Sequence, residues 1–180
     1  MRSMLGGLAG LLGILVVLAV AFAVFLRVAP SDPARWHVDP VTVAPPGFPG
    51  AVLMRPGGDP DSPRFAMDAD ALMAAFDRVA RETPRVSVLA GSVEVRHVTY
   101  IARSALFGFP DYISVRALSD GFDGPDGPDG NGNGDGNAIG GARLAVFSRL
   151  RFGYDDLGVN AKRLDDWLTR IEGAVPPPGA

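Results

Sequence analysis

The chain has 180 residues, 47% of them hydrophobic, which is enough for one packed domain and an additional segment. Without Arg2 and Arg27, 15 basic residues stand against 20 acidic ones, and this net charge of −5 argues against a nucleic-acid-binding surface. The chain has no cysteine, which excludes disulfides, thiolate catalysis and cysteine-based zinc sites.

The N-terminus carries an apolar run. Met4 to Leu26 holds 23 residues without a charge, which as a helix would span roughly 34 Å, enough to cross a bilayer. The alternative is a cleaved signal peptide with a small-residue site at residues 21–23. The run is longer than a usual signal core and continues past that site, so residues 1–28 are predicted to be an uncleaved transmembrane anchor. Basic residues lie on both sides of the run, and the positive-inside rule leaves its orientation nearly balanced.

Residues 29–60 are rich in proline and glycine and are interpreted as a linker that becomes ordered as it reaches the domain. Trp36 in this segment is expected either to pack on the domain or to lie at the membrane interface. Residues 51–55 are a weak candidate for a first short strand. The domain itself is assigned to residues 61–173, and residues 174–180 are predicted to be a disordered tail.

Hydrophobic periodicity predicts two helices and four strands in the domain. One helix covers Ala69–Arg81, with Asp68 or Asp70 as its cap and Pro84 ending it. The other covers Asn160–Glu172, with Asn160 as N-cap and Gly173 as stop. The predicted strands are Val86–Leu89, Val93–Arg103, Tyr112–Leu118 and Leu144–Phe152. The predicted fold is therefore α+β: an antiparallel sheet of about four strands, the last two adjacent, with both helices on one face and the transmembrane helix before it.

Residues 119–141 interrupt this pattern with Asp-Gly-Pro and Asn-Gly units and almost no apolar side chains. Such a segment cannot bury enough surface to offset its ordering entropy, so it is predicted to be a flexible insertion between two strands. Its alternating oxygen-bearing residues also resemble the start of a calcium-binding loop. The final glutamate of such a loop is missing, so calcium remains the weaker alternative; its ligands would be Asp129, Asn131, Asn133 and Asp135.

Two stretches resemble a known family. One runs from Ser148 to Asn160 (Ser-Arg-Leu-Arg-Phe-Gly-Tyr-Asp-Asp-Leu-Gly-Val-Asn) and continues to Arg163 and Trp167; the other runs from Arg103 to Tyr112. Both are similar to recurrent blocks of an uncharacterised bacterial family, the domain of unknown function 1499. The resemblance covers Trp36 to Ile171, apart from the insertion at residues 119–141. The family has no established activity, so the resemblance supplies no catalytic residues. Many members begin with a hydrophobic segment, as this chain does.

The signature residues between the last strand and helix are interpreted as structural. Short oxygen-bearing side chains can satisfy the backbone N–H groups left free where a strand reverses into a helix. We expect Asp155, Asp156 and Asn160 to hold this turn, and Arg149, Arg151 or Arg163 to pair with one of the aspartates. Asp111 and Arg163 complete the structural set, and no catalytic residue is assigned.

An enzymatic role has little support. A hydrolase could use Asp111 and Asp155 with Ser148, but neither Ser148 nor Ser104 lies in a nucleophile elbow. The histidines offer little as bases, because His37 lies in the predicted linker and His97 lies within a strand. Too few ligands cluster in the sequence for a histidine-based metal site.

The sequence's best ligand-binding hypothesis is a set of arginines on the sheet face opposite the core. Guanidinium groups favour phosphate and carboxylate ligands, although the same residues could form a solvated face with ion pairs. The set comprises Arg103, Arg116, Arg149 and Arg151.

Together these features favour a membrane-anchored, non-enzymatic module of the cell envelope that binds a protein partner or an anionic ligand. The predicted location is the bacterial inner membrane, crossed once through residues 4–26, with the domain in the periplasm. No cofactor and no nucleic-acid partner are expected. The alternatives are the envelope hydrolase and a lipid-binding module with an apolar cavity between sheet and helices.

Overall fold

A computed structural model describes residues 2–119 and 141–174. The predicted insertion, with its calcium alternative at Asp129, Asn131, Asn133 and Asp135, lies outside the described residues apart from its ends. The predicted tail does so from residue 175 on, whereas Ala174 still belongs to the last helix, which runs past the predicted stop at Gly173. The helices are α1 (Arg2–Val28), α2 (Pro33–Trp36), α3 (Ala69–Glu82) and α4 (Val159–Ala174). The strands are β1 (Ala51–Met54), β2 (Val86–Ser92), β3 (His97–Arg103), β4 (Pro110–Ser119) and β5 (Ala142–Leu150).

The five strands form one antiparallel sheet in the order β1-β5-β4-β3-β2. The α+β class is confirmed, and so is the adjacency of the last two predicted strands. The strand count of four was low by one, because β1 pairs with β5 along the edge through only four residues. A strand that short carries almost no periodic signal.

The turn between β2 and β3 was misplaced in the prediction. Residues 90–92 belong to β2, and the chain turns at residues 93–96 instead. The register of the pair shifts between Val88 and Ala90, which is a β-bulge. A bulge breaks the alternation of side chains, so the apolar pattern did not locate the strand end.

Both α3 and α4 pack on one face of the sheet, as predicted. Phe76 of α3 lies edge-on to Trp167 of α4, with ring centroids 5.4 Å apart. Leu164 and Trp167 of α4 face the sheet and are 6% and 2% exposed. Asp68 caps α3 by accepting a 2.7 Å hydrogen bond from the backbone N–H of Ala71.

Residues 31–39 lie across the opposite face, which we call the outer face, and we call these residues the strap. Trp36 stacks on Tyr112 with centroids 4.0 Å apart and planes 10° apart. The strap carbonyls of Trp36 and Val38 contact Ser114 and His97. The outer face is thus covered by chain that precedes the first strand.

The end of α1 also contacts the domain. Leu26 is fully buried, and its carbonyl accepts a hydrogen bond of 3.1 Å from Arg103. Arg27 donates to the carbonyls of Leu106 and Phe107. These contacts place α1 at the end of the sheet where β3 and β5 finish and β4 begins, here called the anchor-side end.

Candidate functional site

The signature residues form a buried polar network between the sheet and α4. Ser148 Oγ on β5 donates to Asn160 Oδ1 at 2.6 Å, and both residues are 1% exposed. Arg163 donates to the same amide oxygen at 2.7 Å and to Asp111 Oδ2 at 2.8 Å. The amide nitrogen of Asn160 reaches the carbonyl of Gly50 at 3.5 Å. The network therefore joins β4, β5, α4 and the chain before β1.

The two adjacent aspartates hold the turn before α4. Asp155 accepts from the N–H of Leu157 at 2.8 Å. Asp156 accepts from the N–H groups of Gly158 and Asn160, at 3.0 and 2.7 Å. The expected local hydrogen bonds are confirmed, but Asp156 takes the capping role predicted for Asn160, because α4 begins one residue earlier. Arg163 pairs with Asp111 rather than with Asp155 or Asp156.

The network has the properties of a structural element. Burial raises the pKa of Asp111, while the hydrogen bond and charge of Arg163 oppose that rise. Ser148 donates its proton to an amide oxygen, which is not a base, and the Asp155 carboxylate accepts a backbone N–H of its own turn. Ser104, in the β3–β4 turn, accepts from the N–H of Phe109.

The two histidines meet on the outer face. Their rings stack with centroids 4.0 Å apart, and His37 Nδ1 lies 2.8 Å from Thr99 Oγ1. His97 Nε2 lies 3.1 Å from the carbonyl of Val38. Burial lowers the pKa of His97, and the charge of His37 lowers it further. The pair fastens the strap, and among the described residues no three histidine or acidic side chains gather as a metal site.

The four predicted ligand-binding arginines do not all converge. Arg116 lies at the far end of the sheet, where it pairs with Asp39. Arg103 and Arg151 flank Pro110 from the two neighbouring strands, which places their backbones about 10 Å apart. Arg149 lies beside Tyr112, two pairs further along the β4–β5 ladder. Three of the four arginines are thus near the anchor-side end.

These three guanidinium groups contact carbonyls, a hydroxyl and rings. Arg103 donates to the carbonyls of Leu26 and Gly108, and Arg151 donates to the carbonyl of Ala29 and to Tyr112 Oη. Arg149 lies over the ring of Trp36, 4.7 Å from its centroid. Within residues 2–119 and 141–174 none of the three contacts a carboxylate, whereas Arg116 and Arg163 each do.

Arg149 and Arg151 line a groove beside the strap. Its volume is about 340 Å³, and its lining consists of Trp36, Phe48, Arg149, Leu150, Arg151, Gly153 and Tyr154. Burial and the nearby charge of Arg35 lower the pKa of Arg149, so a bound anion would stabilise the charged guanidinium. Two cations between aromatic walls favour a ligand with a phosphate or carboxylate group.

A larger groove of about 680 Å³ follows α4 and the end of α3. Its cationic lining is already neutralised in part: Arg163 pairs with Asp111, Arg170 with Glu82 and Lys162 with Asp166. The smaller groove therefore has the stronger case as an anion site.

The sequence analysis named Arg149 and Arg151 as ligand-binding residues. It gave no binding role to the aromatic residues that line the smaller groove beside them. Phe48 lies in the same proline-rich stretch as Trp36, and Tyr154 lies far from both in the turn before α4. Trp36 was expected on the domain or at the membrane interface, and the ring stack on Tyr112 realises the first of these alternatives. The aromatic residues at these three positions were the available signal, but periodicity cannot show that segments without a repeating pattern come together.

Residues 37–171 match the model of a family described as "Protein of unknown function (DUF1499)". The chain belongs to this family. The match includes both stretches that carry the resemblance, and thereby the whole buried network and the arginines of the groove. No curated protein matches the chain, and no solved structure matches it. The family has no established activity, so the function is argued from the geometry alone.

Proposed function

We propose that the chain is a membrane-anchored, non-enzymatic binding module that holds an anionic group in the groove at Arg149 and Arg151. The supporting observation is that both guanidinium groups line one groove, and neither contacts a carboxylate within the described residues. The anionic group would be a phosphate or carboxylate, presented by a small molecule or by a partner protein. No geometric observation favours the hydrolase alternative to a comparable degree.

Anchoring would be provided by α1. Gly10–Val28 is, among the described helices, the one that is long and apolar enough to cross a membrane. Its side chains from Leu11 to Phe25 are mostly half or more exposed, as expected of a helix that faces lipid rather than a protein core. We place the anchor in a bacterial inner membrane with the domain on the outer, periplasmic side, in keeping with the hydrophobic N-terminal segment of many family members.

Binding can be tested on the full chain in detergent with inorganic phosphate and citrate as probes. Arg149 lies on the ring of Trp36, so an anion at the groove should change the tryptophan fluorescence saturably, beyond the change that chloride causes at matched ionic strength. The double variant Arg149→Gln, Arg151→Gln should lose the response. Arg116→Gln is the matched control, because it removes a charge from the same sheet face at the other end. An equal response in all three proteins would exclude the groove.

Orientation has a separate test. A topology reporter fused after Ala180 should be active only if the C-terminus lies in the periplasm. Activity of a cytoplasmic reporter at the same position would reverse the proposed orientation while leaving the groove untouched.

A further inference from the structure

The anchor-side end carries exposed apolar side chains on two loops. In the β3–β4 turn Leu106 is 74% exposed and Phe107 47% exposed; in the turn before α4 the values are 69% for Tyr154 and 92% for Leu157. Beyond α1 and the first residue of α4, the only other large hydrophobic side chain this exposed in the described part of the chain is Val95, in the β2–β3 turn. Exposed apolar side chains gathered at one end of a domain mark a contact surface.

The contacts of these loops with α1 show at which level along the helix axis the loops lie. Phe109 contacts Phe22 with ring centroids 6.4 Å apart, and Phe152 contacts Phe25 at 6.5 Å. Phe22 precedes the end of α1 by six residues, or about 9 Å along the helix axis. A loop that reaches Phe22 therefore lies beside the apolar part of α1, below the level at which the helix leaves the bilayer.

The backbone presents Leu157 at a conformational cost. Its φ is 54°, in the left-handed region that a residue with a Cβ rarely adopts. The two preceding residues, Asp155 and Asp156, fix the turn by accepting hydrogen bonds from the N–H groups of Leu157 and Gly158. Leu157 is almost fully exposed, so packing among the described residues does not account for this conformation, and residues held in rare backbone conformations cluster at functional sites.

We infer that the two loops dip into the lipid interface beside α1, with Leu106, Phe107 and Leu157 among the acyl chains and Tyr154, which also lines the groove, at the level of the headgroups. This inference rests on the proposed anchoring by α1. The neighbouring cations suit the same position, since Arg27, Arg103 and Arg151 lie at the level where headgroup phosphates meet the apolar layer. The domain would thus lie against the membrane by one end of its sheet.

Site-directed fluorescence tests the depth directly. The chain has no cysteine, so single variants Leu106→Cys, Leu157→Cys, Val95→Cys and Leu15→Cys can each carry one environment-sensitive fluorophore. The labelled full chain is placed in single-copy nanodiscs that contain lipid with a doxyl quencher near the headgroup. Labels at 106 and 157 should be quenched several-fold more strongly than the label at 95, which is exposed at the opposite end of the sheet.

The label at 15 separates the two ideas. If it escapes a quencher placed deep in the acyl chains, the anchoring proposal fails. If it is quenched while the labels at 106 and 157 behave like the label at 95, anchoring stands and the inference about the loops is overturned. If the fluorophores at 106 and 157 report an apolar environment but are not quenched, protein rather than lipid covers them. This result would also overturn the inference about the loops. Adding Leu157→Asp should reduce the quenching of the label at 106.

Discussion

Asn160 has the most connected side chain of the buried network. Its amide oxygen accepts from both Ser148 and Arg163 within a 1% exposed site. Asn160→Ala would leave a buried hydroxyl and part of a guanidinium without their acceptor, so we expect a loss of about 2 to 3 kcal/mol in unfolding free energy. Thermal or urea unfolding of the detergent-solubilised chain would measure this loss.

The control for this prediction is Ser148→Ala. It removes one donor but leaves the pairing of Arg163 with Asn160 and Asp111, so the expected loss is only about 1 kcal/mol. Unchanged stability of Asn160→Ala, together with loss of function in the organism, would contradict the structural role and indicate a site here.

His97 makes stability depend on pH. Its pKa is lowered in the folded chain, so the unfolded chain binds the proton more readily. The neutral ring therefore contributes fully to stability at pH values above 6.5, the ordinary pKa of histidine. This contribution is lost as the pH falls through the lowered pKa of the folded chain. Asp39 opposes the shift, whereas His37 and Arg116 favour it. The urea concentration at the unfolding midpoint should be lower at pH 5 than at pH 7.5. In His97→Gln this difference between the two pH values should be smaller.

Among the elements, the strap depends most on one ring. Trp36 is 8% exposed, stacked on Tyr112 and covered by Arg149. Trp36→Ala should cost about 3 to 5 kcal/mol, as truncation of a buried tryptophan usually does. In the Trp36→Ala variant, hydrogen exchange should be accelerated first at the backbone amides of Thr99 and Ser114, which lie under the strap.

Trp36→Phe provides the comparison, because a phenyl ring can still stack on Tyr112. Its loss of stability should be clearly smaller. If Trp36→Ala and Trp36→Phe lost the same unfolding free energy, the ring stack on Tyr112 would contribute little. The contacts of His37, His97 and Asp39 would then hold the strap.

How far each element could be predicted depended on whether its signal was local. The apolar stripes of α3 and α4 and the alternation of β4 and β5 repeat over many residues, so the sequence located these elements within two residues. The strap has no period at all, and its place is decided by contacts to Thr99, Tyr112 and Ser114, more than 60 positions later. Pairings across such separations, including Arg163 with Asp111, depend on the three-dimensional arrangement rather than on local pattern.

The same reasoning applies to the candidate site. The alternation of β5 put Arg149 on the outer face correctly, but the groove also needs Trp36 and Phe48 from the chain before β1 and Tyr154 from the turn before α4. Asp155, Asp156 and Asn160 were predicted to hold the turn, and the two aspartates do so, but the network that joins the Asn160 side chain to Ser148, Arg163 and Gly50 was not foreseen. Which of the three would act as the cap was not predicted correctly, since Asp156 and Asn160 both carry the right chemistry four residues apart.

At the scale of the whole molecule, the last turn of α1 is part of the domain. Leu26 is fully buried and Arg103 bonds its carbonyl. A fragment beginning at residue 30 should therefore be less stable than one beginning at residue 22, by about 2 kcal/mol for the leucine side chain alone. Urea unfolding of the two fragments measures the difference. Leu26→Ala in the longer fragment should remove most of it, and equal midpoints would show that α1 is only a tether.

The attachment of α1 also fixes how far the domain can travel. If the predicted linker of 32 residues, 29–60, were a flexible chain, the domain could lie at distances of roughly 30 Å from the end of α1. Instead the helix passes into the fold through Leu26 and Arg27, and the strap that follows is fastened to the sheet. With α1 in a membrane, as proposed, the domain would stay at one distance from the bilayer, so a ligand of the groove would have to belong to the membrane surface or approach it.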